Sequence, residues 1–550
     1  LYFYPKDDTP GCTIEANQFT ELASEVANVD TVVLGVSKDS CDSHQAFIDK
    51  LDEMGELVRI TEPVATELEI TEIADREMKK PGGGKALLFE KPTVNSQISP
   101  FPVAVNTMGS DRRMALSMGA ESVASVANEL AVLMKAKPPS GVRDAIKLFS
   151  AALELRHVRP KKVRTGPCKD VIHLFDPPRT RNQEWPDAPS IDRETSKDPK
   201  DTPTLLNLPV LKCWPLDGGR FVTLPCVVTR DPDTGEGNLG MYRVQIYDDQ
   251  TTGMHWQLQK VAARHGRRYY ETGERMPVSI FLGGDPAFPF AATAPLPDGL
   301  DEFLLAGYLR KQSIEMVRCE TNDLQVPASA DIVIEGYIDP REPLRSEGPF
   351  GDHTGFYTLP EPYPVFHVTA ITHRNNAIYP ATIVGIPPME DFYMGKASVQ
   401  LFLPMFKMNF PEIVDIALPA EGVFHNLVFV SIKKTYPMQA YKIMHGLWGM
   451  GQMMFTKYIV VVDDDVDVHD TSQVLFRLCS NTEPRRDAVF TRGPADVLDH
   501  ATDASGVGSK LGFDATRKLR GEGFTRDWPP LIKMDAKVRA KVDQLLQGKL

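Results

Sequence analysis

Three separated segments carry side chains that could do chemistry. The first runs Gly237, Asn238, Leu239, Gly240, Met241, Tyr242, Arg243. In an extended strand Asn238, Gly240 and Tyr242 share one face, and Leu239, Met241 and Arg243 the other. An amide carbonyl such as that of Asn238 is a good ligand for a hard cation. A guanidinium such as that of Arg243 can hold a carboxylate through two parallel hydrogen bonds. The second segment, residues 295–302, is a Pro-rich turn carrying Asp298, Asp301 and Glu302 ahead of an apolar helix. Its carboxylates suit helix capping or metal ligation. The third, residues 346–355, sets Glu347 and Asp352 on either side of a Gly-Pro pair, which makes a rigid loop rather than a helix face. Two carboxylates near an Arg can divide roles, one kept ionised and one free to move a proton.

A different chemistry is suggested by residues 5–12, which end in Pro10, Gly11 and Cys12. A thiolate attacks peroxide, so such a Cys needs a lowered pKa. Helix N-terminal amides and a nearby hydroxyl, here that of Thr9, can supply it. The spacing of Pro5, Thr9 and Cys12 resembles the peroxidatic motif of the bacterioferritin-comigratory branch of peroxiredoxins. Residues 36–40 resemble that family's next strand end. Asn17 stands where one form of the family has its resolving Cys, which leaves Cys41 as the nearby candidate. The resemblance stops at about Phe47, well short of a complete thioredoxin-like fold, and half a fold cannot easily bury its own sheet. Residues 1–50 therefore read as a truncated peroxiredoxin-like remnant, with thiol peroxidase activity from Cys12 as the competing reading.

Other chemical signals have plain structural readings. Asp463, Asp464 and Asp465 end an apolar strand, where acids cap helices or sit in solvent. His353, beside Asp352, reads as a loop residue bonded to backbone or as a proton relay. Gly82, Gly83 and Gly84 lack the Lys-Ser/Thr of a phosphate loop.

The elements that must position these residues follow from periodicity. Residues 31–36 and 85–89 are short apolar runs of the buried-strand type, and 101–105 reads as a strand. Residues 51–68 read as a helix end and a connection. Residues 114–135 carry helical spacing through Leu116, Val123, Val126, Leu130 and Leu133. Residues 137–207 are rich in Pro and charge and read as a linker. From 208 to about 364 short strands are broken by Gly, Pro and Asp, as in a β-barrel or sandwich. Residues 365–371 and 377–383 flank Asn375 and Asn376 and predict a hairpin. After Phe392 the pattern turns α/β, with strands at 426–432 and 458–462. Between them Ile443, Leu447, Met450 and Met454 predict one buried helical face.

The chain has 550 residues, 42% of them apolar and 25% charged, ordinary for a globular protein of several domains. A net charge of −13 argues against general nucleic-acid binding. No apolar run approaches the roughly 20 residues that span a bilayer, and no secretory signal is evident. The seven Cys are scattered, which suggests reduced buried thiols in a cytoplasmic protein.

Taken together, the three catalytic-looking segments and their surroundings resemble the UbiD decarboxylases over about 51–550. The likeness extends through residues 55–60, 86–90, 214–219, 322–328, 410–415 and 508–516. It implies a mixed α/β and α+β multidomain fold: an N-terminal α/β portion over 51–136, a split β-barrel that binds flavin over 208–390, and a C-terminal α/β assembly domain over 391–550. It also implies prenylated FMN as cofactor, made by a separate flavin prenyltransferase. A divalent metal, usually Mn²⁺, would bridge the flavin phosphate to the protein, with a monovalent cation such as K⁺ close by. By position Asn238 and Glu302 match the family's metal ligands. Gln259 stands where the family usually has a His, and a Gln carbonyl binds Mn²⁺ more weakly than imidazole. Met241, Tyr242, Arg243, His255, Trp256, Gln257 and Lys260 match flavin contacts. Arg243, Glu347 and Asp352 match the catalytic Arg-acid-acid set. The implied reaction is cycloaddition of the cofactor to an aromatic or α,β-unsaturated acid, CO₂ loss and protonation. Residues 254–257 with Arg264 and His265 look closer to the menaquinone-type branch, so the implied setting is quinone synthesis. A lipidic substrate would bring the enzyme to a membrane surface, and family members are homo-oligomers. A catalytically silent flavin-binding protein is the remaining alternative, should Gln259 have cost the metal.

Overall fold

The computed structural model describes residues 43–134, 158–175, 204–257, 260–296 and 299–546, and the backbone of two short strands, Tyr2–Tyr4 and Gly35–Ser37, which pair in parallel. The described part of the chain forms an α/β layer, an antiparallel barrel and a second α/β layer.

The N-terminal sheet runs Tyr379–Ala381, Val103–Val105, Ala86–Val94, Leu57–Ala65, with Gln97–Ile98 added to Ala86–Val94. The helix His44–Glu53 starts at Ser43, whose hydroxyl accepts from the Ala46 N–H at 3.2 Å. It buries Phe47, Ile48 and Leu51 against Leu57, Ala86, Leu88, Ala104 and Ile378. The helix thus spans residue 50 and packs as part of this layer. Leu57–Ala65 is a strand where the sequence pattern suggests a connection. Only Leu57 and Val64 are buried along it. It is the last strand of the sheet, so it needs no alternation and tolerates Pro63. The predicted 114–135 helix is two helices, Asp111–Ser117 and Val123–Met134. They part at Gly119, whose φ of +69° favours glycine.

The central sheet has nine strands. Its main path is Gly237–Met241, Cys226–Arg230, Met276–Leu282, Ile332–Ile338, Val365–His373, Thr251–Met254, Val244–Ile246, Phe221–Val222, with Val171–Leu174 paired to Val365–His373. Its neighbouring strands pair antiparallel. The connectivity dictates its shape. Met241 lies in the first strand of the path and Val244 in the seventh, yet only Tyr242 and Arg243 separate them. Three Cα steps reach about 11 Å at most. Val222 and Cys226 make the same crossing one hairpin earlier. The two ends of the sheet must therefore lie close together, and no strand ladder joins them among the described residues. The result is a barrel with a seam, and Tyr242 and Arg243 cross it. Its interior buries Val222, Val227, Val244, Val278, Ile280, Ile334 and Phe366.

The predicted hairpin over 365–383 does not form. Val365–His373 already has partners on both sides, in Ile332–Ile338 and in Thr251–Met254 with Val171–Leu174. Tyr379–Ala381 instead joins Val103–Val105 in parallel, in the N-terminal sheet. Buried Asp331 fixes that exit, its carboxylate accepting from the Ile378 N–H at 3.0 Å.

The C-terminal sheet runs Ile413–Ala417, Leu427–Ile432, Tyr458–Asp463, Val507–Asp514, Ala488–Pro494. The helix Gln439–Trp448 makes the crossover between its two central parallel strands and buries Ile443 and Leu447. It stops at Trp448, so Met450 and Met454 of the predicted face fall beyond it, in a loop and a 3₁₀ turn. Asp463 accepts from the Arg517 N–H at 2.7 Å, and Asp465 pairs with Arg477 at 2.8 Å. Cys168, Cys213, Cys226 and Cys319 are buried free thiols, whereas Cys479 is exposed, against the expectation of buried thiols. Among the described residues no helix is long and apolar enough to cross a membrane.

Candidate active site

The seam places Arg243 between the end of Gly237–Met241 and the start of Val244–Ile246. The ladder breaks after Met241, so Arg243 leaves the face that strict alternation would give it. Its Nε and Nη2 donate to Glu347 Oε1 and Oε2 at 2.8 and 2.9 Å. Its Nη1 donates to Asp352 Oδ2 at 2.6 Å, and Nη2 also reaches Thr358 Oγ1 at 3.1 Å. The guanidinium lies 4.7 Å from the centre of the Phe350 ring. A guanidinium has five N–H groups. These contacts use four, and the fifth, on Nη1, points from the same nitrogen that holds Asp352.

The loop carrying the two acids is fixed by the 213–219 segment. Asp217, 5% exposed, accepts from Cys213 N at 3.1 Å, Trp214 N at 2.9 Å and Gly351 N at 2.7 Å. Gly218 N donates to Pro349 O at 2.8 Å, and Gln245 Oε1 accepts from Gly348 N at 2.8 Å. Gly348 has φ +95°, a backbone conformation that favours glycine at this turn. A Cβ at Gly351 would enter the Trp214 ring, and the Trp214 indole is itself anchored on Val384 O at 2.8 Å.

Electrostatics divide the two carboxylates from their neighbours. Burial pushes Glu347 up, but hydrogen bonds from Arg243 and His255 outweigh it and hold the carboxyl at about 2. Burial also opposes ionisation of Asp352, yet His353 and Arg243 hold it well below the usual carboxylate range. His255 donates from Nδ1 to Glu347 Oε2 at 3.1 Å and packs on Tyr363 at 4.2 Å between ring centres. Burial lowers His255, with the hydrogen bond to Glu347 opposing. His255 thus sits in the carboxylate network itself. Burial lifts Asp391 to about 7 despite the nearby charge of His353.

Two of the predicted metal-side residues, Asn238 and Glu302, lie close together. Burial lifts Glu302 to about 7, and its carboxylate accepts from Leu239 N at 3.0 Å. Neighbouring Asp301 takes the capping role instead, accepting from Phe303 N at 2.8 Å. Tyr242 is buried beside Asn238 and Glu302, and its hydroxyl occupies the space a Cβ at Gly240 would need. Asn238 is 5% exposed, and its Nδ2 lies beside the Tyr242 hydroxyl without a well-formed hydrogen bond among the described residues. An amide so placed can turn to present its oxygen. A buried carboxylate without an ion-pair partner among the described residues, beside an amide without a well-formed hydrogen bond, is a donor set that fits a divalent cation. Among the described residues no three His, Cys, Asp or Glu side chains gather as a metal cluster. Gln259, Asp298, Cys12 and Cys41 lie outside the described residues.

Trp256 packs edge-on to Tyr242 at 6.4 Å, and Gln257 follows it. Lys260 caps the helix Val261–Thr272, and burial lowers its pKa with Asp496 opposing. Met241 ends its strand and packs partly buried on the cluster around Leu239 and Phe281. Sequence reasoning missed Thr358, Tyr363, Asp391 and His425. Thr358 lies six residues past Asp352 and could have been found by reading the loop as a returning hairpin. His425 lies 72 residues from His353, which it contacts, and no local signal marks it.

Comparison with known proteins bears on the whole arrangement. The model of the 3-octaprenyl-4-hydroxybenzoate carboxy-lyase Rift-related domain matches residues 186–387. Models of the C-terminal and N-terminal domains of the same carboxy-lyase match 392–515 and 48–131. An AhpC/TSA family model matches 1–79. An uncharacterised protein of Archaeoglobus fulgidus is 47% identical over 501 residues, 91% of this chain and 96% of that one. Among solved structures, vanillic acid decarboxylase of Sedimentibacter hydroxybenzoicus in closed form is 24% identical at a TM-score of 0.75, over 92% of this chain and 100% of that one. An evolved dimeric form of the UbiD-class enzyme HmfF from Pelotomaculum thermopropionicum, in complex with prFMN, is 25% identical at a TM-score of 0.67, over 89% and 97%.

Proposed function

The chain belongs to the UbiD family of carboxy-lyases, and we propose that it is a non-oxidative decarboxylase of an aromatic or α,β-unsaturated acid acting with Arg243, Glu347 and Asp352. The observation that carries this reading is the guanidinium of Arg243, held by two buried carboxylates at the seam of the barrel. Prenylated FMN, when bound, supplies the covalent electron sink that makes loss of CO₂ accessible. Met241, Tyr242, His255, Trp256, Gln257 and Lys260 would hold it, and Asn238 with Glu302 and Gln259 would hold a divalent ion such as Mn²⁺. The remaining chemistry belongs to the chain. Arg243, locked by Glu347, directs its fifth N–H at the substrate carboxylate and so sets that group beside Asp352. His255 keeps Glu347 ionised and fixed. Asp352 delivers the proton that replaces CO₂ on carbon.

The test is co-expression with a flavin prenyltransferase. The wild type should carry the prenylated-flavin absorbance and release CO₂ from an aromatic acid. Asp352→Asn should retain the flavin and lose turnover by at least about a hundredfold. Near-normal turnover in that variant refutes the role of Asp352. A colourless protein without manganese favours the silent flavin-binding reading. The residues at 254–257 support a quinone-pathway substrate of the menaquinone type, and a lipidic acid of that kind would call for contact with a membrane surface.

A second reading concerns residues 1–50 alone. The AhpC/TSA match supports a peroxiredoxin-like piece there. We propose that this piece is catalytically silent and meets the carboxy-lyase part at the helix His44–Glu53. Peroxide turnover that disappears in Cys12→Ser would overturn that.

A further inference from the structure

Decarboxylation of a carboxylate to a C–H product and CO₂ consumes one proton per turnover. On the reading above that proton leaves Asp352, which is only 6% exposed and has to be refilled each cycle. The other oxygen of Asp352 is already engaged. His353 Nδ1 lies 2.8 Å from Oδ1, and the His353 backbone N–H donates to the same oxygen at 2.7 Å. The other nitrogen of that ring, Nε2, lies 2.8 Å from Nε2 of His425. His353 comes from the barrel loop, whereas His425 precedes the strand Leu427–Ile432 of the C-terminal sheet. Two ring nitrogens at this separation share one proton, so one ring must donate and the other accept. The ring next to ionised Asp352 is the natural donor.

We infer that His425 is a positioning residue for proton supply: it accepts the Nε2 proton of His353 and so fixes that ring as a doubly protonated donor whose Nδ1 proton refills Asp352. The inference rests on Asp352 being the acid. At rest Asp352 is a carboxylate and the proton sits on His353 Nδ1; the carbon left by CO₂ takes its proton through Asp352, which ends each cycle as a carboxylate again. In each cycle the Nδ1–H bond of His353 breaks, its proton goes to Asp352 Oδ1, and His353 becomes neutral. Water reprotonates His353, whose side chain is 17% exposed. One solvent proton enters and one C–H bond forms.

The charges around the pair agree with this assignment. His353 faces Asp352 on its own loop, Asp391 at the start of the helix Glu390–Asn409, and Asp496 in the C-terminal part. Burial alone would lower it, but bonding to Asp352 dominates and raises it to about 9. Burial and the positive charge of His353 bring His425 down to about 4, with Asp496, Asp352 and Asp499 opposing. The neutral ring then carries its proton on Nδ1, a buried atom without a hydrogen-bond partner among the described residues. Phe424 packs 5.3 Å from the His353 ring and shields the contact.

The test is a histidine-ring NMR titration of the cofactor-free protein, paired with the pH–rate profile of the loaded enzyme. His353 should titrate near 9 in the wild type. In His425→Leu its midpoint should fall by about one pH unit, the equivalent of one charged hydrogen bond, and the alkaline limb of the rate profile should move with it. His425→Gln keeps an acceptor and should restore both. An unmoved His353 midpoint in His425→Leu overturns the inference, whatever Asp352→Asn shows. Equal loss in the Leu and Gln variants also overturns it, because that outcome marks a merely structural contact.

Discussion

Replacing Arg243 by Met removes the one cation that two buried carboxylates share, and the cost can be worked out for Glu347. That side chain is fully buried, and its pKa is held at about 2 against an ordinary 4.5. At roughly 1.36 kcal/mol per unit, the gap corresponds to about 3 kcal/mol. Measured penalties for breaking buried pairs, about 3–5 kcal/mol, agree in size. The sign follows from linkage. A carboxyl whose folded pKa is depressed contributes stability above its unfolded value and loses it as pH falls toward the folded one. With Arg243 gone, burial dominates and the folded pKa of Glu347 rises. The variant should therefore be penalised at neutral pH and partly relieved as the medium is acidified. Hydrogen exchange by mass spectrometry on the cofactor-free protein reads this locally. Amides of residues 345–358 should exchange on the order of a hundredfold faster at neutral pH. The deficit should shrink as pH drops toward about 5, while the strand Tyr458–Asp463 keeps its protection. Exchange within about threefold of wild type, or a deficit that grows on acidification, would refute the reasoning.

Two further outcomes follow from the same geometry. Glu302→Gln keeps the shape of the metal side but removes its charge, so the purified protein should retain at least tenfold less manganese by elemental analysis, on the order seen when one ligand is weakened. Retention equal to wild type would remove Glu302 from the ligand set. Asp217→Ala leaves the Cys213, Trp214 and Gly351 amides without their shared acceptor, at a cost of about 2–4 kcal/mol. Limited proteolysis should then cut first within residues 346–358. An unchanged cleavage pattern would show that the loop is held by other means.

The candidate site was legible as a cluster because each of its parts is contiguous in the chain. Residues 237–243, 295–302 and 346–355 carry their chemistry within ten positions, and the barrel then brings Arg243 to Glu347 and Asp352. What local pattern misses is pairing across distance. His425, from a loop, and Asp391, in the first turn of the helix Glu390–Asn409, reach the site from sequence that shows nothing unusual, and only the approach of the C-terminal part to the barrel gives them meaning. The hairpin expected at 365–383 failed for a related reason: local turn chemistry cannot register that a strand already has neighbours on both edges. Leu57–Ala65 escaped notice because an edge strand carrying Arg59, Glu62 and Pro63 has neither alternation nor an apolar run. Asp301 and Glu302 show the opposite case, in which adjacent acids that looked interchangeable separate cleanly into a cap and a buried carboxylate.

The seam has one more consequence, for how this fold tolerates variation in length. Its width is set by Tyr242 and Arg243 and by the three residues between Val222 and Cys226. One extra residue at either crossing would let the cleft gape by up to about 3.8 Å and carry the guanidinium off its two acids. The turn at 231–236, on the same hairpin, is solvent-facing and touches neither acid, so it can lengthen freely. Chain length at the seam is thus a constraint as strict as residue identity in the site, and an engineer reshaping the pocket should vary side chains at the crossings while leaving their spacing alone.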